Sequence, residues 1–157
     1  MRQAARILVI DDDESVRKVL SSALEEEGYE VETADSGKKA IEMSQKAFFN
    51  MALIDIRLPD MEGTKLLSEL KDTTPKMRKI IVTGYPSMQN AIEAVKRGAN
   101  DFVVKPFKME SVLETIKIQL KEQQGEQKYS EEKVKEFIET RVSEADAEER
   151  KPKKGKN

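Results

Sequence analysis

Asp11, Asp55, Thr83 and Lys105 each follow directly on a short apolar run: ILVI ends at Asp11, MALI at Asp55, IIV at Thr83 and FVV at Lys105. Taken singly, each placement has an ordinary explanation, because Asp and Thr start turns or cap helices and Lys is at home on any surface. Taken together they say more. If the four runs are parallel strands of one sheet, the four side chains, and Asp12 beside the first, lie along a single edge. Three carboxylates brought together repel by about 1 kcal/mol per pair in water and by about 4 kcal/mol at an effective dielectric near 20, so such a set calls for a cation. Hard oxygen ligands suit Mg²⁺, which takes one or two carboxylates, keeps some water and binds a phosphate oxygen as well. A Lys ammonium and a Thr hydroxyl opposite the metal complete the contacts of a tetrahedral anion. The chemistry that fits is phosphoryl transfer to a carboxylate nucleophile.

The rest of the chain supplies elements to hold these groups. Arg6–Ile10, Tyr29–Ala34, Phe48–Ile54, Lys79–Val82 and Phe102–Val104 read as strands, the second alternating like one only half buried. Between them run helical patterns. Val16, Leu20, Ala23 and Leu24 mark the first, closed by Gly28; Ser36 caps the second, with Ala40, Ile41 and Ala47 inward; Leu66, Leu67 and Leu70 mark the third, which Thr73–Pro75 breaks. Ser87 caps a fourth with an apolar face of Met88, Ala91, Ile92 and Val95, and Met109, Val112, Leu113, Ile116 and Leu120 trace a fifth. Among the four acids Asp11–Glu14, Asp12 or Asp13 is expected to cap the first helix, with the others favoured by its dipole. Strands alternating with helices every 20 to 25 residues, roughly, predict an α/β fold with a doubly wound parallel sheet.

Composition narrows the function classes. The chain has 157 residues, 37% of them charged, and a net charge of −2, so no bulk attraction to nucleic acid or membrane is expected. It has no His and no Cys, which removes imidazole bases, thiolate nucleophiles, disulfides and the usual zinc ligands. The N-terminus shows no signal-peptide pattern and no apolar run approaches the ~20 residues of a membrane span, so a cytoplasmic protein is expected.

The segments ILVIDDDE (7–14), LIDIRLPDMEG (53–63), IVTGYP (81–86) and GANDFVVKPF (98–107) closely resemble the signature segments of response-regulator receiver domains, the CheY-like family of two-component signalling. The resemblance covers about Arg6 to Lys121. It implies a flavodoxin-like five-stranded sheet of order 2-1-3-4-5 and a cis Lys105–Pro106 bond. It also implies that Asp55 is the phospho-acceptor, that Asp11, Asp12, Asp55 and the backbone carbonyl of Arg57 hold Mg²⁺, and that Thr83 and Lys105 bind the phosphoryl group. Phe102 occupies the position of the aromatic switch residue. Arg57 and Tyr85 are bulkier than the family's small or neutral choices, and are expected to crowd the attacking water and lengthen the phosphate's life.

The expected organisation is a receiver domain over 1–123 and a charged extension over 124–157. Glu122–Gln127 reads as a polar linker, a helix near 129–147 carries Val134, Phe137, Ile138 and Val142 on one stripe, and Lys151–Lys156 forms a short basic tail. The sequence reads as a stand-alone regulator fed by a sensor histidine kinase. Its output is a downstream protein target or self-association, through the surface of the fourth helix, fifth strand and fifth helix or through the C-terminal helix, with no nucleic acid and no membrane expected. Two alternatives remain: a small haloacid-dehalogenase-type phosphatase, since Asp11–Ser15 also fits an Asp-x-Asp-x-Ser nucleophile loop, and a receiver scaffold that works without phosphorylation.

Overall fold

The computed structural model describes residues 3–149. The elements follow one another as β1 (Arg6–Ile10), α1 (Glu14–Glu26), β2 (Glu30–Ala34), α2 (Gly37–Lys46), β3 (Met51–Ile54), α3 (Gly63–Glu69), β4 (Arg78–Thr83), α4 (Met88–Lys96), β5 (Asp101–Val104) and α5 (Met109–Glu149). The five strands form one parallel sheet of order β2-β1-β3-β4-β5, as the family resemblance implies.

Alternation along the central strands explains why the sheet needs cover on both sides. Leu8, Ile10, Ala52, Ile54 and Ile81 point to one face, where they meet Ala40 of α2, Leu66 and Leu67 of α3 and Ala94 of α4. Ile7, Val9, Met51, Leu53, Ile80 and Val82 point to the other, where they meet Leu20 and Leu24 of α1 and Val112, Ile116 and Leu120 of α5. All four residues of β3 are buried, as befits the middle strand of a doubly covered sheet, whereas β2 at the edge is half exposed. The helices begin where their caps predict. Asp13 accepts from the N–H groups of Ser15 and Val16, Ser36 from that of Lys39 and Ser87 from that of Asn90, while Gly28 and Gly98 take the positive φ that ends α1 and α4. The Lys105–Pro106 bond is cis.

The apolar face of α4 lies open, and the expected linker after Lys121 is helical. The stripe Met88, Ile92 and Val95 of α4 faces solvent, with Met88 77% and Val95 71% exposed, and Ala94 is the residue that packs inward. Periodicity shows which residues share a face but not whether that face meets protein. Glu122–Gln127 is helical rather than a linker, since Glu and Gln are good helix formers and only Gly125 opposes them, by about 1 kcal/mol.

The chain divides into two compact units, one ending at Gln123 and one beginning at Gln124. In the second unit, Val134, Phe137, Ile138 and Val142 are exposed, and Phe137 and Tyr129 carry the cations of Arg141 and Lys133 over their rings at 5.1 and 5.9 Å. The basic tail Lys151–Lys156 lies outside the described residues. Among the described residues, no helix is long and apolar enough to cross a membrane.

Candidate functional site

The strand order reverses between β1 and β3, and in open α/β sheets a crevice opens at that point beyond the carboxyl ends of the strands. Asp11 and Asp55 sit there, one residue past each strand. Main-chain bonds continue the ladder beyond the strands and fix the backbone of both: Asp11 N donates to Ala34 O at 3.1 Å and Asp55 N to Ile10 O at 3.0 Å. Lys105 is placed in the same way from the other side, its N–H donating to Thr83 O at 2.8 Å.

The side chains converge. One carboxylate oxygen each from Asp11, Asp12 and Asp55 lie within 4.8 Å of one another. The Lys105 Nζ donates to Asp11 Oδ2 at 2.6 Å and to Asp55 Oδ2 at 3.2 Å. Asp11 and Asp55 are buried and Asp12 is exposed, so the cluster has a closed floor and an open side. Burial pushes the Asp11 carboxyl up, further than the Lys105 hydrogen bond and the Asp13 N–H pull it down. Burial also works against the Lys105 ammonium, but the bond to Asp11 and the charges of Asp11 and Asp55 outweigh it and hold its pKa above the ordinary lysine value. One ammonium thus serves two carboxylates, and the third has none of its charge.

Thr83 ends β4 fully buried, with its Oγ1 accepting from Tyr85 N at 3.2 Å. Phe102 pairs with Ile81 across the β4–β5 ladder and is half buried against the core. Arg57 donates its N–H toward Asp55 Oδ1 at 3.4 Å and lays its guanidinium 3.7 Å from the centre of the Tyr85 ring. An all-oxygen set of clustered carboxylates with an open side fits a hard divalent cation such as Mg²⁺.

Two contributors escaped the sequence reading. Arg17, one turn into α1, donates from Nη1 to the backbone oxygen of Asp11 at 2.8 Å and so ties down the acidic turn. A Cβ at Gly63 would collide with the backbone oxygen of Asp55, and its absence lets the start of α3 press against the carboxylate's own peptide. A glycine within a loop segment carries no mark of the close approach that it permits, and a side-chain bond from Arg17 back to the main chain of Asp11 leaves no pattern in sequence.

A model of the response regulator receiver domain matches residues 7–117. The transcriptional regulatory protein ZraR of Escherichia coli strain K12 is 37% identical over 110 residues, which are 70% of this chain and 25% of that protein. The chain spans about a quarter of the length of the curated relatives it matches. A CheY-like response regulator receiver domain protein from Methanospirillum hungatei JF-1 superposes with a TM-score of 0.76 at 43% identity, covering 79% of this chain and 99% of that one. A response regulator from Burkholderia pseudomallei, solved with a phosphorylated aspartic acid and a calcium ion, superposes with a TM-score of 0.68 at 33% identity, covering 78% of this chain and 72% of its own. The expectation of no nucleic-acid involvement finds no support in such relatives, because ZraR is by name a transcriptional regulator.

Proposed function

This chain belongs to the response-regulator receiver family, and on that premise we propose that it is a phosphorylation switch in which Asp55 accepts a phosphoryl group from the phosphohistidine of a sensor kinase. An Asp55 carboxylate oxygen attacks phosphorus, the N–P bond breaks, and its electron pair stays on the leaving imidazole. Asp11, Asp12 and Asp55, with the Arg57 carbonyl, are the residues to hold Mg²⁺, which when bound offsets charge on the equatorial oxygens. Lys105 and Thr83 receive the remaining oxygens of the phosphoryl group. The observation that carries this reading is the Lys105 ammonium bridging Asp11 and Asp55 at 2.6 and 3.2 Å. A cation so placed pre-organises the pocket for an anion attached to Asp55.

Phosphorylation replaces one carboxylate by a group with more charge and more acceptor oxygens. Thr83 moves toward it, Phe102 fills the space vacated, and the exposed stripe of α4 beside β5 changes shape for a downstream partner. Each charge-assisted bond contributes about 1.5–3 kcal/mol, and moving a population from 1:99 to 99:1 takes about 5.5, so the two bonds from Thr83 and Lys105 suffice for most of the shift. Transcriptional control, named for ZraR, is the output we assign to the switch.

Incubation with acetyl phosphate and Mg²⁺, followed by reduction of the acyl phosphate and mass spectrometry, tests the assignment. Label is expected at Asp55. Label at Asp11 would move the reading to a phosphatase of the haloacid-dehalogenase type, and no label would leave a scaffold.

A further inference from the structure

Asp60, at the tip of the loop between β3 and α3, reaches across to a different element. Its Oδ1 accepts from Gly37 N at 2.9 Å and its Oδ2 from Lys38 N at 2.8 Å. These are the first two N–H groups of α2, and Ser36 Oγ takes the next, that of Lys39. The helix start is therefore capped by one neighbour in sequence and by one carboxylate from more than twenty residues away. Beside that bond the Met61 thioether lies where a Cβ on residue 37 would come within 2.5 Å of its sulfur. The base of the same loop is closed as well. Gly63 N donates to Ile56 O, Leu58 N to Met61 O at 3.3 Å, and Arg57 and Glu62 form a backbone bridge. Arg57 thus belongs to the closed base of the loop whose tip Asp60 pins.

From this we infer that Asp60 is a positioning residue for the phosphorylation site: by pinning the β3–α3 loop to the start of α2 it holds the Arg57 backbone in place beside Asp55. The inference rests on the reading of that pocket as a metal and phosphoryl site. The two N–H donors also hold the Asp60 carboxyl below the ordinary carboxylate range. Ligand groups must sit within about 0.5 Å of their productive positions, and a loop freed at its tip has to be ordered again each time the metal binds.

Ser36→Ala separates positioning from capping, because it removes a bond to the start of the same helix without touching the loop. Calorimetric titration with Mg²⁺ at a temperature where every variant is folded is expected to show the dissociation constant raised about ten-fold in Asp60→Ala, at the low end for residues that support a metal ligand, and roughly three-fold in Asp60→Asn. Ser36→Ala should leave it unchanged while lowering the melting temperature as Asp60→Ala does. Equal affinities in Asp60→Ala and Ser36→Ala would overturn the inference. Amide hydrogen exchange without metal gives an independent readout: Arg57–Glu62 should exchange faster in Asp60→Ala only, and unchanged exchange there would overturn the inference also. Wild-type protein that bound no Mg²⁺ would sink the metal reading instead, and exchange alone would then decide the pin.

Discussion

The two ends of the sheet both bury polar side chains and treat them in opposite ways. At the amino ends, Gln123 donates to Asn50 O at 2.9 Å and to Lys76 O at 2.8 Å and accepts from Asn50 Nδ2, while Lys79 Nζ donates to Leu67 O at 2.7 Å. Arg78 meets Gln119 and Glu122, and Asn100 takes the Lys79 N–H. Those groups find their partners in backbone, amides and one carboxylate of the same chain. At the carboxyl ends, the Lys105 ammonium bridges only two of three clustered carboxylates, and the pocket stays negative. The difference teaches where to look for a ligand: a buried polar cluster that closes on itself is structure, and one left with surplus charge is a site.

Lys105→Ala should give the largest separation of the two ends. Removing one pre-organised donor from a charge-stabilising site typically lowers the rate about 10²–10³-fold, so phosphorylation by acetyl phosphate should fall by that order. Gln123→Ala, at the other end, should phosphorylate at the wild-type rate. Stopped-flow or mass-spectrometric rates for both proteins check it, and comparable losses would erase the distinction.

Thr83→Ala sharpens it within the carboxyl end. It should still accept phosphate on Asp55 yet lose most of the conformational response, a shift of about 1.5–3 kcal/mol in the switch equilibrium for one charge-assisted bond. Solution NMR of α4 and β5 amides before and after phosphorylation measures this. A full response in Thr83→Ala would detach the hydroxyl from the switch.

Stability offers a contrast of sign. Gln123→Ala takes a donor from the Lys76 carbonyl and leaves the Asn50 carbonyl with the Arg78 N–H, and should cost about 1–3 kcal/mol in a denaturant melt. Asp11→Asn removes a charge that burial disfavours while keeping an acceptor for the Asp13 N–H at 2.9 Å, and should stabilise the metal-free protein by about 1 kcal/mol. Mg²⁺ should protect wild type and not Asp11→Asn. Destabilisation of both variants in metal-free buffer would show the pocket to be as self-contained as the opposite end.

The strand ends were legible because an apolar run that stops at a single polar residue marks both the element and what it delivers. Asp11, Asp55, Thr83 and Lys105 all fell at one edge for that reason. The strand order itself came from the family resemblance, since periodicity does not order strands. What stayed hidden depends on partners remote in sequence. Gln123 looked like part of a polar linker, yet it is buried at 3% exposure by carbonyls from residues 50 and 76. Nothing in the segment around Asp60 signals that its partners lie in α2. The α4 stripe had the pattern of a core face and carries none of the core.

The smallest expected effect concerns the rim of the charged pocket. Arg57 and Tyr85 come from the loops after β3 and β4, and their cation–π contact at 3.7 Å links those loops beyond the carboxylates. Water that hydrolyses an acyl phosphate on Asp55 must enter past such groups, so the stack should lengthen the phosphate's life. An exposed contact of this kind is worth about 0.5–1 kcal/mol, which bounds the effect at roughly two- to five-fold in half-life. Losing either partner loses the whole contact. Arg57→Ala, Tyr85→Ala and the double variant should therefore shorten the half-life equally, and a double-mutant cycle should return the full stack energy as coupling. Equal half-lives in wild type and the double variant would show both side chains to be spectators. Additive shortening would show that each screens water on its own, by bulk rather than by contact.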